Sequence, residues 1–150
     1  MSLPATITLT QVGLTPALVL ADGPVQPPPV PEYYSNLVVG DFSVGQTVSS
    51  GMGVMQTAGG VAPGAVDTLA EAVSFLGVAQ QAGNPGGTVA VVSYGPISDT
   101  SFNWTLDEPI FLSDAGVLTQ APPQAGVSLI VGFPLSATEM FVRPSLPLQL

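Results

Sequence analysis

Apolar and polar residues alternate along this chain in short runs, and glycine or proline closes almost every run. From Ala5 to Gln11, Ala5, Ile7 and Leu9 alternate with Thr6, Thr8 and Thr10. A period of two among β-branched residues predicts a strand with one buried face. A second apolar run, Leu14 to Leu20, is broken by Pro16 and predicts a short partner strand. Asp22-Gly23-Pro24 then signals a turn, and Pro27, Pro28, Pro29 and Pro31 follow. Proline lacks the N–H a sheet ladder needs, so this stretch reads as an extended, stiff connector. It also has the form of a PxxP ligand, but no basic residue flanks it, and the linker reading is preferred.

Beyond Tyr33 short strands and turns succeed one another. Leu37 to Val39 ends at Gly40-Asp41, Phe42 and Val44 alternate with polar positions, and Thr47 to Met55 alternates weakly around Gly51 and Gly53. Thr68-Leu69-Ala70-Glu71 has capping-box spacing. The β-type residues that follow favour a strand over 73–79, with a single helical turn before it as the alternative. Thr88 to Tyr94 is framed by Gly86-Gly87 and Gly95-Pro96, and the loop Gly83 to Gly87 predicts a hairpin with the Phe75 strand. Phe102, Trp104 and Leu106 alternate with polar neighbours. Pro109 to Leu112 and Val117 to Thr119 flank the tight turn Ser113 to Gly116, and Val127 to Phe133 and Glu139 to Val142 complete the strands. The tail alternates Leu146, Leu148 and Leu150 with Pro147 and Gln149, an apolar series that is costly in free water and is expected to dock on the body or on a neighbour.

With 17 glycines and 16 prolines among 150 residues and no fixed repeat, the pattern predicts an all-β fold. We expect a compact β-sandwich or β-barrel of many short strands with extended N- and C-terminal arms. Residues 1–32 read as an N-terminal arm with a proline-rich linker, 33–144 as the β-rich body, and 145–150 as a C-terminal arm.

Composition narrows the chemistry. Arg143 is the only cation, against ten carboxylates, and histidine, lysine and cysteine are absent. The chain therefore has no imidazole base, Schiff-base amine or thiolate nucleophile, and no lysine for a phosphate loop. A zinc site would have to be built from carboxylates alone. Asp107 and Glu108 are adjacent carboxylates, but strand neighbours point to opposite faces, so the pair reads as a solvated turn. Asp99 and Asp114 are isolated in sequence, and no calcium loop of the Asp-x-Asp-x-Asp-Gly kind is present. No catalytic, cofactor or metal site is expected. A carboxylate-based hydrolase, with two acids meeting in a cleft, is the competing enzymatic reading.

The formal charge of −9 disfavours nucleic acid and anionic membranes, since neutralising phosphates takes several cations. It keeps soluble a chain whose mean hydropathy is +0.51. So apolar a surface calls for covering by other subunits. Met1 to Pro4 carries no basic region followed by an apolar run, and no run has the length of a membrane span, so synthesis in the cytoplasm is expected. Trp104, Tyr33, Tyr34 and Tyr94 could form a sugar-stacking platform, though core or interface packing is preferred. Arg143 is expected to pair with a carboxylate, across a subunit boundary if not within the chain.

Phe75-Leu76-Gly77-Val78-Ala79, the glycine-rich hairpin, Thr88-Val89-Ala90-Val91-Val92 and Gly95-Pro96-Ile97 together resemble a strand pair found in tailed-bacteriophage capsid decoration (cement) proteins. Trp104, Pro109 to Leu112, Gly116 to Thr119, Pro122-Pro123 and Val131 to Val142 also resemble virion proteins, including head and tail fibre modules. The resemblance covers about residues 37–144 and leaves the N-terminal arm outside. It implies a non-enzymatic structural protein on the capsid exterior, with the major capsid protein and copies of itself, as a homotrimer, for partners. The interface residues expected on this reading are Ile7, Leu9, Trp104, Arg143, Leu146, Leu148 and Leu150. The runner-up implication is a head or tail fibre module that serves adsorption.

Overall fold

The computed structural model describes residues 38–150, all within the compact unit Pro31–Leu150. The predicted strand over 5–11, with Ile7 and Leu9, the proline-rich stretch, and Tyr33 and Tyr34 lie outside the described residues.

The described chain is all-β, an antiparallel sheet curled into a half-barrel. In chain order the elements are β1 (Val38–Ser43), β2 (Gly53–Thr57), β3 (Gly60–Pro63), α1 (Leu69–Val73), β4 (Phe75–Ala79) and β5 (Thr88–Ser98). Then come β6 (Ile110–Leu112), β7 (Leu118–Thr119), β8 (Val127–Ser128), β9 (Ile130–Ser136), β10 (Glu139–Val142) and β11 (Leu148–Gln149). The main sheet runs β3-β2-β4-β5-β10-β9-β6-β7, with β1 also paired to β5, and β11 pairs separately with β8.

Everything is organised by β5, the longest strand at 11 residues. Its first half pairs with β1, from Thr88 opposite Ser43 to Tyr94 opposite Val38. Val91 and Val92 pair also with Ala79 and Val78 of β4. Its second half pairs with β10, from Gly95 opposite Val142 to Ser98 opposite Glu139. Both faces of this strand are buried. Val89 and Val91 enter one apolar cluster with Val44, Val48, Val54, Val61 and Ala79. Val92 faces the other way, into a cluster with Val78, Ile110, Leu112, Leu129, Val131, Met140 and Val142. Ile97 joins Val92 although strict alternation would place it on the opposite face. The shift occurs at a β-bulge: Val39 lies opposite Val92 and Val38 opposite Tyr94, so Ser93 is an extra residue and every side chain after it changes face.

Two glycines permit close strand approach. A Cβ on Gly77 would run into the carbonyl oxygen of Val92, and one on Gly132 into that of Phe141. In both cases the obstacle is backbone, which cannot rotate away.

Several elements differ from the sequence expectation. The segment read as two pieces around Gly40 is one strand, because β5 offers a continuous partner. Of the two readings near residue 70, the helical turn is present before the strand. The Thr68 hydroxyl accepts from the Glu71 N–H at 3.2 Å and donates to Glu71 Oε2 at 2.8 Å, so α1 begins there. Val73 closes that helix and β4 begins only at Phe75. Phe102, Trp104 and Leu106 alternate in sequence yet form no strand. Their backbone groups go instead to a turn (Phe102 N–H to Asp99 O, 3.1 Å) and to the β9–β10 loop (Trp104 N–H to Ala137 O, 2.8 Å), leaving no neighbouring strand to pair with.

Gly132→Ala is expected to cost about 3 kcal/mol or more in urea unfolding, as overpacking against fixed backbone does. Gly59→Ala, where a Cβ meets nothing within 4 Å, is expected to change stability by less than about 0.5 kcal/mol.

Candidate interaction surface

After β10 the chain keeps running antiparallel to the β9–β8 arm. Arg143 N–H donates to Val131 O at 2.8 Å and Ser145 N–H to Ile130 O at 2.9 Å. Leu148 and Gln149 pair with Ser128 and Val127, and Leu150 N–H reaches Gly126 O at 2.9 Å. Residues 126–150 thus form one long hairpin whose outer arm is the tail.

The side chains of that arm sort in an unusual sense. Ser145 and Gln149, though exposed, bond to the body: the Ser145 hydroxyl accepts from Ile130 N–H at 3.2 Å, and Gln149 Nε2 donates to Gly126 O at 2.9 Å. The intervening leucines face solvent, Leu146 at 91%, Leu148 at 62% and Leu150 at 53% exposure. A strand with one wet face normally buries its apolar residues and exposes its polar ones. Here polar atoms hold the backbone down and a ridge of leucines is presented outward. Pro144 and Pro147 leave the arm without two of its N–H groups, a device common at sheet edges.

Beside the ridge lies an open groove of about 420 Å³ lined by Pro109, Ile130, Phe133, Arg143, Pro144 and Ser145. Phe133 is 38% exposed and stacks on Phe141, with ring centroids 5.5 Å apart and planes at 20°. Phe141 in turn meets Tyr94 edge-on at 5.2 Å, so the exposed ring rests on a fixed aromatic row. Arg143 is exposed, and among the described residues no carboxylate pairs with it. The expected ion pair is therefore not formed within the described part of one chain.

The structure brings Arg143, Leu146, Leu148 and Leu150 onto this ribbon. Trp104 lies at the other end of the same hairpin, against Ala137 in its turn. Its ring is partly buried on the larger cluster and sits 4.9 Å from that of Phe102, tilted by 39°. Its indole N–H is buried without a partner among the described residues. Tyr94 is half-buried and committed to the Phe141 contact. Phe133 was the residue that sequence reasoning missed, since a strand phenylalanine is ordinarily counted with the core.

Carboxylates do not gather into a site. Asp107 and Glu108 are both exposed on a turn, and among the described residues no group of three or more metal-ligating side chains occurs. Asp99, isolated in sequence, is bonded in space. Its Oδ1 accepts from Ser101 N–H at 2.9 Å and Ser101 Oγ–H at 2.6 Å, and its Oδ2 accepts from the Ser50 hydroxyl. These bonds, those from the Ser101 hydroxyl foremost, hold the carboxyl below the ordinary aspartate value. The Asp-x-Ser spacing signals the local half of this network; Ser50, 49 residues away, has no sequence signal. No family model, curated protein or solved structure matches this chain.

Because the folded state lowers the pKa of Asp99, its contribution is present above the ordinary carboxylate range and is lost as pH falls through it. Asp99→Asn is expected to cost about 1 kcal/mol at pH 7, the worth of a half-buried hydrogen-bonded group. Urea titrations at pH 7 and pH 3 should show the gap between the two proteins narrowing at the lower pH.

Proposed function

We propose that this chain is a non-catalytic virion structural protein, a decoration protein that binds the outside of a phage head and stabilises it through subunit contacts. The observation that carries the reading is the leucine ridge: three apolar side chains facing water on a strand whose polar side chains are spent on holding it in place. An exposed apolar series on an ordered frame marks a surface to be covered by protein. The resemblance to decoration proteins, carried by the strand pair within 75–97 and extending over about residues 37–144, supports the capsid as the place. Acidity supports the exterior, where the packaged nucleic acid does not oppose the −9 charge.

On this reading each subunit makes modest apolar contacts, and association into a trimer multiplies them, since the second and third contacts form at the high effective concentration set by the first. The partners are the major capsid protein and copies of this chain. The absence of imidazole, amine and thiol from the sequence supports a role without chemistry.

The test is light scattering of the purified chain with and without empty, expanded capsids of the same phage. Saturation at a fixed ratio and a raised capsid disruption temperature are expected. Leu146→Ser with Leu148→Ser should weaken capsid binding by about tenfold or more, while the unfolding free energy of the chain shifts by less than about 0.5 kcal/mol, as for surface substitutions generally. A chain that ignores capsids would overturn the proposal and favour the fibre reading.

A further inference from the structure

Arg143 presents an unresolved charge. It is the only cation of a chain with ten carboxylates, it is exposed in an apolar groove, and no described carboxylate pairs with it. Pro109, at the rim of that groove, is two residues from Asp107. Asp107 is also exposed and has no partner among the described residues.

The turn that carries Asp107 is braced. The Gln120 side chain accepts from Thr105 N–H at 2.8 Å and donates to Thr105 O at 2.7 Å and to Glu108 O at 2.9 Å. Three bonds from one amide clamp the turn at both ends. Asp107 itself sits at φ 69°, a left-handed conformation that aspartate tolerates better than most residues. Leu106, beside it, is 54% exposed. The turn therefore offers an acid and an apolar side chain on fixed backbone. The groove offers the complement, a guanidinium flanked by Phe133, Ile130 and two prolines.

We infer that this groove is a self-association site, occupied by the Leu106–Asp107 turn of a second copy with its Asp107 carboxylate on Arg143. Charge complementarity calls for an acid. Asp41, Asp67, Glu108 and Asp114 are exposed as well, but the clamped turn with its exposed Leu106 singles out Asp107. Two copies of a chain at −9 repel each other over most of their surfaces, and Arg143 is the one cationic point at which an acid of another copy is attracted. Preorganisation favours the pairing, because neither the clamped turn nor the Phe133 stack has to be ordered on contact. The guanidinium can hold a carboxylate through two parallel hydrogen bonds, which sets register as well as attraction. The inference deepens the assembly reading by naming the contact between copies, and it requires no capsid.

The experiment is light scattering of the full chain alone, in low salt, over a concentration series. Wild type is expected to associate, as a trimer on the reading above. Arg143→Glu should raise the dissociation constant roughly thirtyfold or more, the loss typical of breaking one side of a desolvated charge pair. Asp107→Arg should do the same, and the double variant Arg143→Glu with Asp107→Arg should restore association. Both positions are exposed, so circular dichroism should show all three variants folded. A wild-type chain that stays monomeric at every concentration, an Arg143→Glu variant that associates like wild type, or a double variant that fails to recover would each overturn the inference. Capsid binding by a monomer would leave the proposed function standing without it. Arg143-dependent association without capsid binding would do the reverse.

Discussion

The architecture hangs on one strand that must be buried on both faces at once. Along β5, Val89 and Val91 fill one cluster and Val92 the other. The run from Val89 to Val92 is accordingly all valine and alanine, and the first polar residue after it, Ser93, falls at the bulge. The strand also changes partners midway, from β1 and β4 to β10. It does so just after a bulge at Ser93, an extra residue that turns Ile97 onto the same cluster as Val92. Without that residue the second half of β5 would present the wrong face, and a one-residue slip in a strand reverses every side chain after it.

The outer surface follows from this arrangement. Because β10 is anchored on β5, the hairpin that contains it is held at its turn end, and the tail runs on antiparallel to residues 126–131. The last arm is tied down by backbone bonds and by Ser145 and Gln149, which leaves its leucines nowhere to go but outward. Gly132, where β9 and β10 approach closely, lines the neighbouring groove, and Phe133 beside it stacks on Phe141. A core requirement thus ends in a preorganised surface of leucine, phenylalanine and one arginine. On a chain with so few charges, such a surface serves contact with protein rather than chemistry on a small substrate.

Much of this was legible in sequence because a period of two and glycine punctuation are local signals. The fold class, the β4–β5 hairpin loop and β10 from Glu139 to Val142 are as the pattern predicts. The alternation Leu146, Leu148, Leu150 marked the tail as a docking element, but alternation alone does not tell which side chains bond to the body, and here Ser145 and Gln149 do while the leucines stay exposed. Phe102 to Leu106 alternates like a strand and is none, because strand formation needs a partner that sequence does not show. The Ser50–Asp99 bond, the Gln120 clamp and the aromatic row join residues far apart in the chain, and no local pattern carries such information.

The leucine ridge depends on the tail being a fixed frame and not a loose end. Amide hydrogen exchange of the full chain at high dilution, followed over residues 143–150, reads this directly. Protection of the Arg143, Ser145 and Leu150 amides, each bonded to the β9–β8 arm, is the predicted result. Exchange of all three at the rate of an unstructured peptide, with residues 128–136 still protected, would contradict it and leave the ridge without a frame.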